Sequence, residues 1–348
     1  MDETSFRVSD EYLSVDDVFA QTAHGHHHPD ALGALCFSAE ANPCVTSHWP
    51  CLGVPLARLD SNDPVYEVWR SGGPMATGHL GDVHYRHDEE FVFGTIVLSE
   101  DRFEPETDQT PLERATEAAY RQVFALLDHL SMPYPCRFWN YFPEINTHRH
   151  GTERYRQFNS GRQAAFLAHA RDVQGNLPAA CALGTTHGAF SLAFLAGRTL
   201  PQGIENPRQI SAFNYPSQYG LRSPTFSRAS LIKTIRGEIL LISGTASIVG
   251  HATRHLGDVE AQTGETLANI EAVLAEANRL STSGSFDLGN LNYRVYLRRP
   301  DDLERVRAAI SSHVSGPYKA VYLQADICRQ DLLVEIEATA LSNPCRQS

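Results

Sequence analysis

Near the C-terminus, Val334-Glu335-Ile336-Glu337-Ala338 places two carboxylates at alternate positions in a run of strand-forming residues. Side chains alternate across a strand, so Glu335 and Glu337 share one face while Val334, Ile336 and Ala338 share the other. Burial disfavours the charged form of a carboxyl. A carboxyl that keeps its proton near neutral pH can act as a general acid. Residue types alone leave open whether a glutamate here is that acid or a hydrogen-bonded part of the sheet. Groups that could hold an anion are also present. Tyr155 and Arg162 lie seven apart in a helix-forming segment, and two turns of helix put both on one face. A guanidinium fork grips a carboxylate at two points, and a phenol adds a directed donor. Tyr215 and Arg228 flank the segment that follows, and Arg154, Arg156, Arg208, Tyr219 and Arg222 are further candidates. His24, His26, His27 and His28 cluster, but no nearby pattern supplies the outer hydrogen bonds of a metal site. A polar loop without metal is the expectation there, as it is for His148 and His150.

Composition narrows the class. At 348 residues with 42% apolar and 20% charged content, the chain can bury a large core. A formal net charge of −12, with basic residues scattered singly or in pairs, argues against a nucleic-acid coat. It leaves room for a small anionic substrate held by two or three local arginines. No apolar run approaches the roughly 20 residues that cross a bilayer. The acidic start, Met1 to Asp17, lacks the basic region and apolar core of a signal peptide. Seven cysteines without a CxxC pair argue against a disulfide framework and for a reducing cytoplasm.

An internal repeat must position these residues. Glu90–Leu98 and Ile239–Val249 both read as buried strands, and their Gly94 and Gly244 lie 150 residues apart. A helix follows each. Thr110-Pro111-Leu112-Glu113 opens one, with an apolar stripe at Ala119, Val123, Leu126 and Leu130. Asp258 caps the other, with Leu267, Ile270, Leu274 and Ala277 on one face. Strands at Cys136–Phe142 and Leu291–Leu297, second helices, and closing strand pairs complete the correspondence. Each half reads β–α–β–α–β–β, which implies an α+β fold with helices on one face of a mixed sheet. The division expected is an N-terminal extension over residues 1–75, forming an extended wrap, then halves at 76–200 and 225–348. Residues 201–224, rich in turn-forming proline steps, connect the halves.

The second half resembles the small RidA/YjgF-type proteins through Thr225–Ala229, Ile242–Ser247, Ala261–Leu274, Arg294–Leu297 with Asp301–Val306, and Leu332–Ala338. From about Arg137 onward the chain resembles, more specifically, the chorismatases. The strings that carry this are RFWNYFPEIN, ERYRQFNSGR, ENPRQISAFNYPSQYGLRSPTFSRA, SGTASIVGHATRHLGDVEAQTGETLANI and YLQADICRQDLLVEIE. The resemblance implies tandem RidA-like halves and a substrate, chorismate, whose enol ether to pyruvate is broken after a proton reaches the enol methylene carbon. It implies no cofactor and no partner beyond that substrate, in a monomer or small homo-oligomer. It selects Glu335 rather than Glu337 as the acid, and Tyr155, Arg162, Tyr215 and Arg228 as substrate contacts at a seam between the halves. Ala246 and Cys328 fall where family subtypes differ, and Cys328 points to 3-hydroxybenzoate. 4-Hydroxybenzoate or a dihydroxycyclohexadienoate are the other products. A RidA-type imine deaminase is the rival, but its carboxylate-binding arginine aligns with Lys319, which lacks the fork. A non-catalytic metabolite-binding module is the third reading.

Overall fold

The computed structural model describes residues 9–14, 30–40, 44, 48–104, 109–220, 222–234 and 237–342. The histidine run at residues 24–28 lies outside them. The N-terminal region departs from the expected extended wrap. Strands β1 (Ser9–Ser14), β2 (Ala31–Ser38), β3 (Cys51–Pro55) and β4 (Val65–Arg70) form a sheet of order β1-β4-β2-β3. β2 is buried along its whole length. Its small residues, set among Pro, Gly and His punctuation, gave no periodic signal. A second correction concerns the cysteines. Cys44 and Cys51, the latter the first residue of β3, form a disulfide across a sequence separation of 7, with Cα atoms 6.0 Å apart. Cys36, Cys136, Cys181 and Cys328 are free.

The next sheet is built from β5 (Ala76–Leu80), β6 (Val83–His87), β7 (Phe91–Leu98), β8 (Tyr134–Pro143), β9 (Ala179–Thr185) and β10 (Phe190–Gly197), with helices α1 (Pro111–His129) and α2 (Arg154–Ala168). Its order is β9-β8-β10-β7-β6-β5. The last is built from β11 (Gln202–Ile204), β12 (Ala229–Thr234), β13 (Gly237–Ala246), β14 (Asn292–Leu297), β15 (Lys319–Gln324) and β16 (Val334–Ser342), with α3 (Val259–Leu280) and α4 (Leu303–His313). Its order is β11-β12-β13-β16-β14-β15. Each half therefore contains β–α–β–α–β–β, preceded by a strand that makes a hairpin with its first member. β11, which falls in the expected connector, pairs with β12 at the sheet edge. Helices α1 and α3 start where their caps dictate. Thr110 Oγ1 accepts from Glu113 N, and the Asp258 carboxylate accepts from Glu260 N and Ala261 N.

Four strands recur in one order in all three sheets: β1-β4-β2-β3, β7-β10-β8-β9 and β13-β16-β14-β15. In each set the last two strands are parallel and the other neighbours antiparallel. Helices α1 to α4 bury their apolar stripes on the outer faces of the last two sheets. Val123 and Phe124 meet Phe138 and Leu192, and Leu267 and Ile270 meet Val295 and Ile336. The inner faces of all three sheets converge, bringing Phe37 and Trp69, Trp139 and Tyr141, and Tyr296 and Leu323 into one core. Backbone bonds zip the edges. Gly184 and Asp326 exchange N–H···O bonds of 2.7 and 3.0 Å, and Gln324 N donates to Ala57 O at 2.8 Å. The arrangement is α+β. Among the described residues no helix is long and apolar enough to cross a membrane.

Candidate active site

β16 turns Val334, Ile336 and Ala338 into the core beneath α3 and presents Glu335 and Glu337 to the inner face. The two carboxyls meet opposite electrostatics. Glu337 is paired with Arg137 and Arg294 and accepts from Tyr296 OH at 2.5 Å. Burial alone would raise its pKa, but the two guanidiniums hold it below the usual carboxylate range. Glu335 is also buried, with no ion-pair partner among the described residues. Burial, helped by the neighbouring Glu337 charge, pushes its pKa up to about 8 against the pull of Arg137 and Arg298. A carboxyl so placed is mostly protonated at pH 7.

Gly244 makes room for it. The β13–β16 register shifts between Ile242 and Thr245, and a Cβ on Gly244 would sit 2.1 Å from Glu335 Oε1. Beyond the carboxyl opens a cavity of about 550 Å³. α2 supplies Tyr155, the connector Tyr215 and Tyr219, the approach to β12 Phe226 and Arg228, β13 Ala246, and the loop before β16 Cys328 and Arg329. A chamber of about 30 Å³ behind Glu335 adds Arg162 and Cys181. The cavity therefore lies between the two helix-bearing sheets.

Three of its arginines, Arg162, Arg228 and Arg329, have no ion-pair partner among the described residues. Arg228 Nη2 donates to Tyr215 OH and to Ile210 O, both at 2.9 Å, while its buried Nε has no partner. Arg162 Nη2 donates to Asn159 Oδ1 at 2.8 Å, its guanidinium lies 4.8 Å from the Phe158 ring centroid, and its Nε is likewise unpartnered. Arg329 stacks over Tyr219 and Tyr215, with ring centroids 4.2 and 5.4 Å away, and donates to His251 O at 2.8 Å. Arg298 donates to the carbonyls of Ile327, Arg329 and Leu332, bracing the loop that carries Cys328. Burial pushes the Cys328 thiol up to about 12, so it stays protonated. Such a site can bind a small molecule with two carboxylates and protonate it from Glu335. Among the described residues no group of three or more His, Cys, Asp or Glu converges as a metal would require.

Comparison with known proteins agrees with this chemistry. A family described as Chorismatase FkbO/Hyg5-like, N-terminal, matches residues 67–196. A chorismatase crystal structure superposes with a TM-score of 0.85 and 29% identity, covering 97% of this chain and 99% of that one. A chorismatase of Streptomyces hygroscopicus is 35% identical over 276 residues, 78% of each chain. A 3-hydroxybenzoate synthase of the same organism is 36% identical over 309 residues, 86% of this chain and 88% of the relative. The chain belongs to the chorismatase family.

In this chorismatase, the residues singled out from sequence come together. Glu335, Tyr155, Tyr215, Arg228, Ala246 and Cys328 line the cavity, and Arg162 lines the chamber behind it. The alternatives separate. Arg156 and Tyr219 also line the cavity, but Arg154 is buried against Glu100, Arg208 pairs with Glu265, and Arg222 is exposed. Lys319, the position weighed for a deaminase, is exposed at the start of β15 and does not line the cavity. Sequence reasoning missed Arg329 and Gln209. Arg329 follows Cys328 directly, and only the fold brings it against two tyrosines more than a hundred residues earlier. Gln209 Nε2 donates to Ile248 O at 2.9 Å, which fixes the amide and leaves its Oε1 unpartnered at the cavity wall.

Proposed function

We propose that this enzyme cleaves the enol ether of chorismate, releasing pyruvate and a hydroxybenzoate, with Glu335 as the general acid. The observation that carries the reading is a buried carboxyl, raised to a pKa of about 8 and without an ion-pair partner among the described residues, facing a cavity that Tyr155, Tyr215, Tyr219, Arg228 and Arg329 also line. Chorismate carries two carboxylates, and Arg162 with Tyr155 would take one while Arg228 with Tyr215 takes the other. Glu335 delivers its proton to the enol methylene carbon, which becomes the methyl of pyruvate, and the adjacent carbon turns oxocarbenium-like. Attack by water or by the neighbouring ring hydroxyl then frees pyruvate. For a hydroxybenzoate product the ring finally loses a proton as it becomes aromatic, so chorismate yields pyruvate and hydroxybenzoate with no net water consumed.

The 3-hydroxybenzoate synthase relative and the protonated Cys328 thiol beside Glu335 favour 3-hydroxybenzoate over the 4-isomer or the dihydroxycyclohexadienoate. Ala246, pairing directly with Glu335 across β13 and β16, is the second position expected to tune that choice. Both walls of the site come from one chain, so a second copy is not needed to complete it. Four free cysteines among the described residues favour a cytoplasmic enzyme, and the Cys44–Cys51 disulfide is the feature against it.

The test is pyruvate release from chorismate followed through lactate dehydrogenase, with the aromatic product identified by chromatography. Wild type is expected to release pyruvate and form 3-hydroxybenzoate, and Glu335→Gln to lose at least a hundredfold in kcat. Full activity in Glu335→Gln would sink the assignment of the acid.

A further inference from the structure

The N-terminal sheet sends one acid into the heart of the molecule. Glu67 on β4 is buried, accepts from Trp69 Nε1 at 3.1 Å through one carboxylate oxygen, and pairs with Arg294 through the other. Arg294 in turn holds Glu337, which Arg137 also holds. Two guanidiniums and two carboxylates therefore form one neutral cluster, with a member from each of the three sheets. Glu335 lies two residues from Glu337 on the same face.

The fold does not require an acid at position 67. Glu67 pairs across its sheet with Leu35, as Glu337 does with Arg294 and Ala193 does with Trp139. The corresponding place in the middle sheet is thus alanine. At that place only the N-terminal and C-terminal sheets carry a carboxylate, and both meet at Arg294.

We propose that Glu67 is a positioning residue for the reaction: through Arg294 it balances the charge beneath Glu335, so that the acid keeps its proton. An ionised Glu335 would add a third carboxylate to a cluster with two guanidiniums. Across the cavity Glu153 pairs with Arg156, Asp331 accepts from Thr253 Oγ1, and His148 lines the same wall. Arg298 is paired with Asp326, and Glu337 and Arg137 are already in the cluster. Tyr296 and Tyr141 are neutral phenols whose pKa values burial drives up, as it does for Tyr155, Cys181 and Cys328. Arg162, Arg228 and Arg329 face the cavity and meet the substrate's own two carboxylates once it binds. This gives the N-terminal sheet a part in the chemistry, and it rests on the reading of Glu335 as the acid.

The experiment is the pH profile of kcat for pyruvate release from chorismate, which reports the acid in the bound complex. Glu67→Gln removes a negative charge, favours ionised Glu335, and should move the high-pH limb down by roughly one unit. Arg294→Gln removes a positive charge and should move that limb up. The double variant restores neutrality, and its limb should return to the wild-type position. A purely structural role would lower kcat at every pH without opposite shifts. If neither single variant folds, the double variant still decides, because a limb displaced from wild type overturns the proposal. An unmoved limb in Glu67→Gln, or equal shifts in both single variants, also overturns it. Glu335→Gln, run beside them, separates the two failures: if it stays active, the acid assignment has failed first.

Discussion

Glu335 and Glu337 show how two identical side chains on one strand face acquire opposite roles from their neighbours. Both are buried, yet one has two arginines and a phenol while the other has a glycine beside it and a cavity in front. A raised carboxyl pKa means the donor form dominates below it and is lost above it. With Glu335 near 8 in the ligand-free protein, kcat/KM should hold through neutrality and decline as pH rises through that region. A pH–rate profile checks this, and a limb in the range of an ordinary carboxylate, near 4 to 5, would contradict it. Gly244→Ala tests the same carboxyl sterically. Its Cβ would press on Oε1, so kcat should fall tenfold or more while the thermal midpoint moves by only a few degrees. Gln209→Leu should raise KM for chorismate about tenfold with kcat nearly kept, since it removes an acceptor suited to the ring hydroxyl.

The elements that carry these residues were unequally legible. Helices α1 and α3 announced themselves through caps and apolar stripes, and the alternation in β16 gave the correct face for both glutamates. Strand β12 was hidden because Ser230, Lys233 and Thr234 interrupt its apolar pattern, and β11 because it is short and sits among prolines. Which arginine faces the site could not be read from one helix, because the deciding partner is distant. Arg154 is claimed by Glu100, 54 residues away, whereas Arg162 donates to the neutral Asn159 of its own helix and has no carboxylate partner among the described residues. The connector is the element most open to test. Arg329 ties Tyr215 and Tyr219 to the loop before β16 by stacking, which is worth about 1 kcal/mol per pair when partly exposed. Arg329→Ala should therefore raise KM several-fold through a looser connector and one lost cation. Arg228→Lys, which keeps charge but loses the fork, should raise it more. Steady-state kinetics on both variants orders them, and an unchanged KM in Arg228→Lys would remove it from carboxylate binding.

At the scale of the whole molecule, the repeat visible in sequence covered two sheets where the fold has three. The third escaped notice because it has no helices among the described residues, and helical periodicity was the strongest signal in the other two. Its packing shows that it is integral. Phe93 from β7 lies so close to β2 that a Cβ on Gly33 would come within 2.1 Å of its ring, and Leu32, Phe37 and Trp69 share a core with Trp139 and Tyr296. Removing residues 1–72 would uncover that core and leave Arg294 without Glu67. Loss of one partner from a buried ion pair costs about 3–5 kcal/mol, a large part of the roughly 5–15 kcal/mol that holds a domain together. The truncated chain should therefore lose its cooperative thermal transition and aggregate on size-exclusion chromatography, even though it keeps Glu335, Arg162 and Arg228. A truncated protein that elutes as a single compact species, melts cooperatively and releases pyruvate would show that the two helix-bearing sheets suffice and that the third is an accessory.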